Sequence, residues 1–266
     1  MRNATVFIGS GRIVSALLAG LKHADYRERV VVHGRNVRAL QQMKRLYRVD
    51  TEMNLQHAVE QAKLLIMAVR PASVGEVLRQ IGPVRRPMIA VSLAAGIPLS
   101  KLRSALPAPL KWVRAMPSPA SRGGRGLTAL AFDRGISRAE RKSVLVFFSR
   151  VGPVLEIPEK KFDAFTVTYS SSHGYHALAS LAAAAQSLGL DRKTALQAAA
   201  HGLADGIIGW RQSDASLHNL LQEAATPGGI AAGVMEAMDR AGYGIAVKKG
   251  LIEGLRRTRR NARLRF

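Results

Sequence analysis

The sequence predicts an α/β chain in two parts: an N-terminal doubly wound parallel sheet with helices on both faces over residues 1–158, then an all-helical C-terminal domain over residues 159–266. Three observations carry this expectation. Short apolar runs alternate with segments of helical period as far as Ile157, the order that builds a parallel sheet. The first of these runs stops at two glycines, and a helical pattern begins there. From about Val154 onward the chain becomes alanine-rich and reads as helix after helix.

Val6, Phe7 and Ile8 have the character of a buried parallel strand, and Ile13, Val14, Leu17, Leu18 and Leu21 recur on one side of a helix. Between them, Gly9 supplies the backbone angles of a tight turn, and Gly11 lets the main chain approach a diphosphate with no side chain between. The free N–H groups opening the helix, over Ser10, Gly11, Arg12 and Ile13, then face that anion. Val14 stands where a dinucleotide fingerprint has Gly or Ala, so helix and strand are expected slightly farther apart.

Arg29 to His33 forms the second strand and leads through Gly34-Arg35-Asn36 to a helix marked by Leu40, Met43 and Leu46. A site selecting the 2′-hydroxyl nucleotide places an acid at this strand end, whereas an arginine meets a 2′-phosphate. Here His33, Gly34, Arg35 and Asn36 include no acid and Arg38 follows, so NADPH is expected over NADH.

Leu64 to Pro71 and Pro87 to Leu93 are the next strand segments, separated by a helix through Val74, Val77, Leu78 and Ile81. Arg70-Pro71 and Ala94-Ala95-Gly96 then fall at carboxyl ends of strands, the edge where such sheets bind ligands. Lys111 to Pro117, Leu127 to Phe132 and Pro153 to Ile157 supply three more strands, and Ser118 to Gly126 is expected as a loop near the same edge. Helices follow at His176–Leu188, Arg192–Trp210, Ala215–Ala225, Ala231–Ala241 and Ile245–Arg257. Their alanine runs at 182–185 and 198–200 permit close helix contact, and their largely apolar circumference points to burial against a second copy of the chain as a homodimer.

Composition narrows the chemistry. With no cysteine, disulfides, thiolate metal sites and a cysteine nucleophile are excluded. The seven histidines are dispersed, and His173 with His176 lacks a nearby acidic ligand, so no metal site is expected. No apolar run reaches the roughly 18 residues of a membrane span, and a strand begins almost at once, so neither membrane anchor nor export signal is expected and cytoplasm is the default. The formal charge of +22 attracts anionic partners, but aromatics at 5% give no stacking platform for nucleic acid. The arginine-dense end, Arg256 to Arg265, reads as a solvated tail or last helical turn.

Taken in order, several stretches resemble the pyrroline-5-carboxylate reductases. They are Phe7-Ile8-Gly9-Ser10-Gly11 with Ser15-Ala16, Asn54, Ala68-Val69-Arg70-Pro71, Ser92 to Ile97 and Val113-Arg114-Ala115-Met116-Pro117. Gly124 to Leu130, Val151-Gly152, Asp163-Ala164, Thr226-Pro227-Gly228-Gly229 and Ala241-Gly242-Tyr243 continue the series over nearly the whole chain. The resemblance implies a Rossmann-type domain, a helical dimerisation domain that interlocks two subunits, and hydride transfer from a nicotinamide to a cyclic C=N bond. It also implies cofactor contacts from the first turn, Arg35-Asn36, Asn54, Ala68 to Pro71, and Ala94-Ala95 with Gly96.

The substrate end departs from the family. Tyr169-Ser170-Ser171-Ser172-His173-Gly174 replaces a small-residue S-G-S-G-P-A segment, and Ile230-Ala231 after Gly229 replaces two threonines that hold the amino-acid substrate. Ser118-Pro119-Ala120-Ser121 replaces Asn-Thr-Pro-Ala after Met116-Pro117, and the helix from His176 lacks the family's acid. Lost hydrogen bonds to a charged group cost roughly 1.5–3 kcal/mol each. The expected substrate is therefore a larger, less acidic cyclic imine, one candidate being a siderophore-type thiazoline carried on an acidic carrier protein that the positive charge would attract. Substrate contacts are expected from Met116, Ser118, Ser171, Ser172, Tyr175, Gly229, Ile230 and Ala231. The proton for the imine nitrogen is expected from water or from a side chain, His173 first and Tyr169 second. A proline-biosynthetic reductase and a nucleotide-binding scaffold without turnover are the alternatives.

Overall fold

A computed structural model describes residues 3–266. The sheet-forming part runs β1 (Ala4–Ile8), α1 (Arg12–His23), β2 (Val30–His33), α2 (Val37–Tyr47), β3 (Asp50–Glu52), α3 (Leu55–Gln61), β4 (Ala62–Met67), α4 (Val74–Ile81), β5 (Met88–Ser92), α5 (Leu99–Ala105), β6 (Leu110–Met116), β7 (Thr128–Phe132), α6 (Arg138–Ser149) and β8 (Val154–Glu156). Helices alone follow: α7 (Glu159–Thr168), α8 (Ser171–Ser187), α9 (Arg192–Gln212), α10 (Leu217–Ala224), α11 (Ile230–Arg240) and α12 (Tyr243–Ala262).

The strands form one sheet in the order β3-β2-β1-β4-β5-β6-β7-β8. The chain winds outward from β1 to β3, crosses back to β4 and continues the other way, so the switch point lies between β1 and β4. β1 to β6 are parallel, but β7 runs antiparallel to β6, which corrects the all-parallel expectation. The reason is the connection: a parallel pair needs a long crossover, and only a short 3-10 turn at Pro119–Gly123 lies between these strands.

Alternation along β1 fills both faces. Val6 and Ile8 join Leu65, Met67, Ala90 and Trp112 against α3, α4 and α5, while Phe7 joins Ile66, Val91 and Val113 against α1, α2 and α6. Trp112 is fully buried, and its indole N–H donates to the Leu106 carbonyl at 3.0 Å. Val14 is also fully buried, in the second cluster. The 118–126 segment is built into the fold: Ser121 is buried, and a Cβ on Gly20 of α1 would lie 2.1 Å from the Ser121 carbonyl oxygen.

Five elements lie where the pattern reading left connections: β3, α3, α5, α6 and α7. α6 opens with a capping box in which Ser137 accepts from the Glu140 N–H and Glu140 accepts from the Ser137 N–H. Lys111 also bonds both Glu140 oxygens, at 2.9 and 2.8 Å, and with the Ser137 N–H holds that carboxyl down at about 2 from its ordinary 4.5. A depressed carboxyl stabilises the fold fully above its unfolded value and progressively less as pH falls through the folded one. Stability from Glu140 should thus be lost between pH 4.5 and about 2, and the thermal midpoint of Glu140→Gln should change less with pH across that window than the parent's.

The described residues pack as two compact units, one of residues 3–169 together with Gly254–Phe266, the other Ser170–Glu253. α7 joins the sheet unit because Phe162 is buried against Ala129 and Ala131 of β7. In the helical unit α8 and α9 pack through alanines, with Ala182, Ala195 and Ala199 buried. The rest of its apolar surface is bare: Leu188, Ile207, Trp210, Leu217, Ile230 and Ile245 are half exposed or more.

The arginine-rich end is the last turns of a helix, the second of the two expected forms, and its arginines are exposed. α12 continues to Ala262, Lys101 donates through Nζ to the carbonyls of Ala262 (2.8 Å) and Leu264, and Leu264 and Phe266 pack onto the sheet core. The apolar residues between the arginines anchor a segment whose charge alone suggested solvent.

Candidate functional site

The carboxyl ends of β1 and β4 meet at the switch point, where Gly9 makes the turn out of β1. Gly9 has φ +116°, its N–H donates to the His33 carbonyl at 2.8 Å, and a Cβ there would lie 2.7 Å from the Ala68 carbonyl oxygen. Only glycine fits, because a side chain would clash with the start of the Ala68-Val69-Arg70-Pro71 segment. Gly11 differs. It is the N-cap of α1 with ordinary extended angles (φ −84°), and nothing lies within 4 Å of where its Cβ would be. The fold does not require glycine there, and the open space above it leaves the backbone bare.

α1 has no side-chain cap and no acid in its first turn, so the N–H groups of its opening residues point outward unsatisfied. Arg12 is exposed, Ser10 and Ile13 are partly so, and Ser15 behind them bonds Tyr47 at 2.5 Å between hydroxyls. That is the setting an anionic diphosphate needs.

Around this turn the structure gathers the other expected nucleotide contacts. Arg35 is exposed just past β2, and Asn36 caps α2 by accepting from the Ala39 N–H at 3.0 Å. Asn54 caps α3, its Oδ1 accepting from the His57 N–H at 2.9 Å. Arg70 is exposed at the end of β4. Past β5, Ser92 accepts from the buried Ala94 N–H at 3.3 Å, and Gly96 turns with φ +76° over the Thr258 carbonyl, 2.4 Å from a would-be Cβ. Asn261 of α12 donates to the Ala95 carbonyl at 3.1 Å, so the chain's end supports this turn from below.

The acid thought absent beside His33 is present. β3 pairs with β2 in register His33 to Glu52, and the His33 Nδ1–H donates to the Glu52 carbonyl at 3.0 Å. Burial holds the His33 imidazole below its ordinary value, favouring the neutral ring. The Glu52 carboxylate accepts from the Asn54 N–H at 2.8 Å and bonds His57 Nδ1 at 2.5 Å, and these contacts hold it below the usual carboxylate range. A polar three-residue edge strand carries no apolar alternation, which is why the sequence did not reveal it.

The residues expected at the substrate end occupy several settings. Met116 packs against the cluster of Ala129, Ala131 and Phe162, while Ser118 is buried and spends its hydroxyl on the Ala120 N–H at 3.2 Å, capping the 3-10 turn. Tyr169 ends α7 with its ring 5.1 Å from Phe165. In the helical unit, α8 begins at Ser171, earlier than His176, because Ser170 caps it by accepting from the Ser172 N–H. Ser171, Ser172, His173 and Tyr175 are all exposed on its first turns. Gly229 caps α11 with no side-chain oxygen, Ile230 is 90% exposed, and Ala231 follows it.

Among the described residues no group of three or more metal-ligating side chains forms, and no helix is long and apolar enough to cross a membrane. The sequence also left unnoticed a buried arginine, Arg114 of β6, paired with Asp163 at 2.5 Å and Glu159 at 3.6 Å.

Comparison with known proteins agrees with this geometry. Residues 5–96 match the family model described as NADP oxidoreductase coenzyme F420-dependent, and residues 159–261 match the pyrroline-5-carboxylate reductase dimerisation model. The chain is 30% identical to the pyrroline-5-carboxylate reductase of Mycobacterium tuberculosis over 267 residues, 90% of each protein, and 31% identical to that of Mycobacterium leprae over 275 residues, again 90% of each. In fold it is similar to the Plasmodium falciparum pyrroline carboxylate reductase solved with NADP bound, at TM-score 0.86 and 21% identity over 98% of this chain and 99% of that one. A reductive aminase from Aspergillus terreus, solved with NADPH and ethyl-5-oxohexanoate, shares the fold more distantly, at TM-score 0.64 and 15% identity over 91% and 95%. With a curated relative at this identity over nine-tenths of its length, and the ordered motifs in place, the chain belongs to the pyrroline-5-carboxylate reductase family.

Proposed function

We propose that this protein is an NADPH-dependent reductase of a cyclic C=N bond whose preferred substrate is larger and less acidic than pyrroline-5-carboxylate. The nucleotide part is supported by the bare Gly11 backbone, the uncapped α1 N-terminus and the exposed Arg35. Bound NADPH supplies the hydride. The first turn holds the diphosphate, Arg35-Asn36 and Asn54 meet the adenosine end, and Ala68 to Pro71 with Ala94-Ala95 border the rest. The chain's further tasks are to orient the imine, exclude water and deliver a proton to nitrogen. His173 and Tyr169 are the candidate donors.

The observation that carries the substrate reading is the start of α11. Where the family has two hydroxyls for the substrate carboxylate, this chain presents an exposed isoleucine and an alanine. Each lost hydrogen bond to the charged group lowers affinity roughly tenfold to a hundredfold. The uncapped backbone N–H groups of α11 still offer a carboxylate some donors, which favours ordinary pyrroline-5-carboxylate reduction as the second reading. The helical unit, with its bare apolar faces and dimerisation-family match, pairs with a second copy as a homodimer.

The test follows NADPH absorbance with pyrroline-5-carboxylate beside a panel of bulkier imines that lack the carboxylate, including a substituted pyrroline and a free thiazoline. A kcat/KM at least about tenfold higher for a panel member is expected. Fast, saturable turnover of pyrroline-5-carboxylate above the panel makes the protein a proline-biosynthetic reductase. NADPH binding with no oxidation by any imine makes it a non-catalytic nucleotide-binding scaffold. On the preferred imine, unaltered turnover in both His173→Ala and Tyr169→Phe assigns the proton to water.

A further inference from the structure

We propose that Glu52 and His57 form a masking pair that sets the nucleotide preference, His57 occupying the acidic group beside the ribose end so that it neither accepts from a ribose hydroxyl nor lies bare toward a 2′-phosphate. The inference rests on the reading of the switch-point cleft as the nucleotide site. Glu52 ends β3 directly beside His33, which ends β2, and Arg35 follows two residues later. Neighbouring strands lie roughly 4.8 Å apart, so the acid stands next to the strand end that faces the adenosine ribose in this fold.

Both carboxylate oxygens are committed. Oε1 accepts from the Asn54 N–H at 2.8 Å, and Oε2 bonds His57 Nδ1 at 2.5 Å. The same short turn positions both donors, because Asn54 caps the helix through the His57 N–H. The Glu52 side chain is only 22% exposed and His57 61%, so the imidazole is the more solvent-exposed member of the pair. An ionised carboxylate with a free oxygen can accept from the 2′- and 3′-hydroxyls, which NADH has in full and NADPH lacks at the 2′ position. A single negative charge close to a phosphate also opposes it. Removing His57 therefore acts in one direction on both nucleotides: it frees Oε2 for the ribose of NADH and leaves the carboxylate bare toward the 2′-phosphate of NADPH. Arg35 supplies attraction for the 2′-phosphate, and the pair covers the acid beside it.

The test is nucleotide binding in the absence of imine, by titrating the fluorescence of NADPH and NADH with parent, His57→Ala, His57→Gln and the double variant Glu52→Gln/His57→Ala. The parent is expected to bind NADPH more tightly. His57→Ala should shrink the ratio of the NADH to the NADPH dissociation constant by roughly fivefold to tenfold. His57→Gln, whose amide can still donate to Oε2, should shrink it less, and the double variant should return the ratio toward that of the parent. His57 is exposed, so thermal midpoints should stay within a few degrees, separating a change of preference from a loss of fold. A ratio unmoved in His57→Ala, or not restored by Glu52→Gln, overturns the masking pair alone. A parent that binds neither nucleotide, or prefers NADH, overturns the nucleotide reading on which it rests.

Discussion

Gly9→Ala is expected to cost the chain roughly 2–6 kcal/mol of stability, whereas Gly11→Ala, two residues away, should keep the fold and lose the nucleotide. At Gly9 two penalties combine: φ of +116° is a region that side chains scarcely enter, and the new methyl carbon would lie 2.7 Å from the Ala68 carbonyl oxygen, a backbone atom that cannot step aside cheaply. Typical domains have about 5–15 kcal/mol in total, so this single methyl consumes a large share. Gly11 carries neither penalty, since its angles suit alanine and its Cβ direction is empty. Its replacement costs at most about 1 kcal/mol, through a poorer N-cap. A methyl above Gly11 does occupy the space through which a diphosphate would reach the N–H groups of α1, so NADPH affinity should fall at least about tenfold. Urea unfolding and nucleotide titration on the two variants check both halves. A Gly11→Ala protein that binds NADPH as the parent does would show that the bare backbone serves no diphosphate.

The same contrast indicates what a sequence can and cannot reveal. Both glycines were legible as a turn, since an apolar run, two glycines and a helical period follow in order. Their different reasons for being glycine were not, because one reason is the Ala68 carbonyl, a group brought close only by strand pairing. The long apolar strands and amphipathic helices were readable for the same local cause. β3 was not, having three polar residues on an edge, and with it went Glu52, the acid whose apparent absence had argued for NADPH. Two signals were present and passed over: the Ser137-to-Glu140 spacing of a capping box, and a β6-to-β7 connection too short for a parallel crossover. At the chain's end a last helical turn was legible, while the anchoring of Leu264 and Phe266 on the sheet core was not. Ser118 was legible as a residue after Met116-Pro117, while the spent state of its hydroxyl depends on a turn it closes only once folded.

Arg114→Ala should be among the most damaging substitutions outside the glycines, lowering stability by about 3 kcal/mol. The guanidinium is 2% exposed, bonds Asp163 at 2.5 Å, lies 3.6 Å from Glu159 and stacks 4.3 Å from the Phe162 ring centroid. Its Nε has no partner, so the cost of burial is not fully offset by hydrogen bonds. Truncation to alanine leaves two carboxylates without their counter-ion and a cavity over Phe162. The damage stays near the low end of the range for broken buried pairs because Asp163 and Glu159 remain 30% and 36% exposed and can recover water. Arg114→Met, which keeps the volume and the contact with Phe162, should therefore lose less than Arg114→Ala, an order that separates packing from charge. The consequence reaches the cleft. Arg114 pairs in register with Ser92, whose hydroxyl holds the Ala94 N–H, and Glu159 accepts from the Leu99 N–H at 2.6 Å, fixing the chain just after the Gly96 turn. Denaturant midpoints for the two variants, with the parent as reference, test the order. An Arg114→Ala protein within 1 kcal/mol of the parent would mean that the ion pairs of Arg114 contribute little to holding α7 on the sheet.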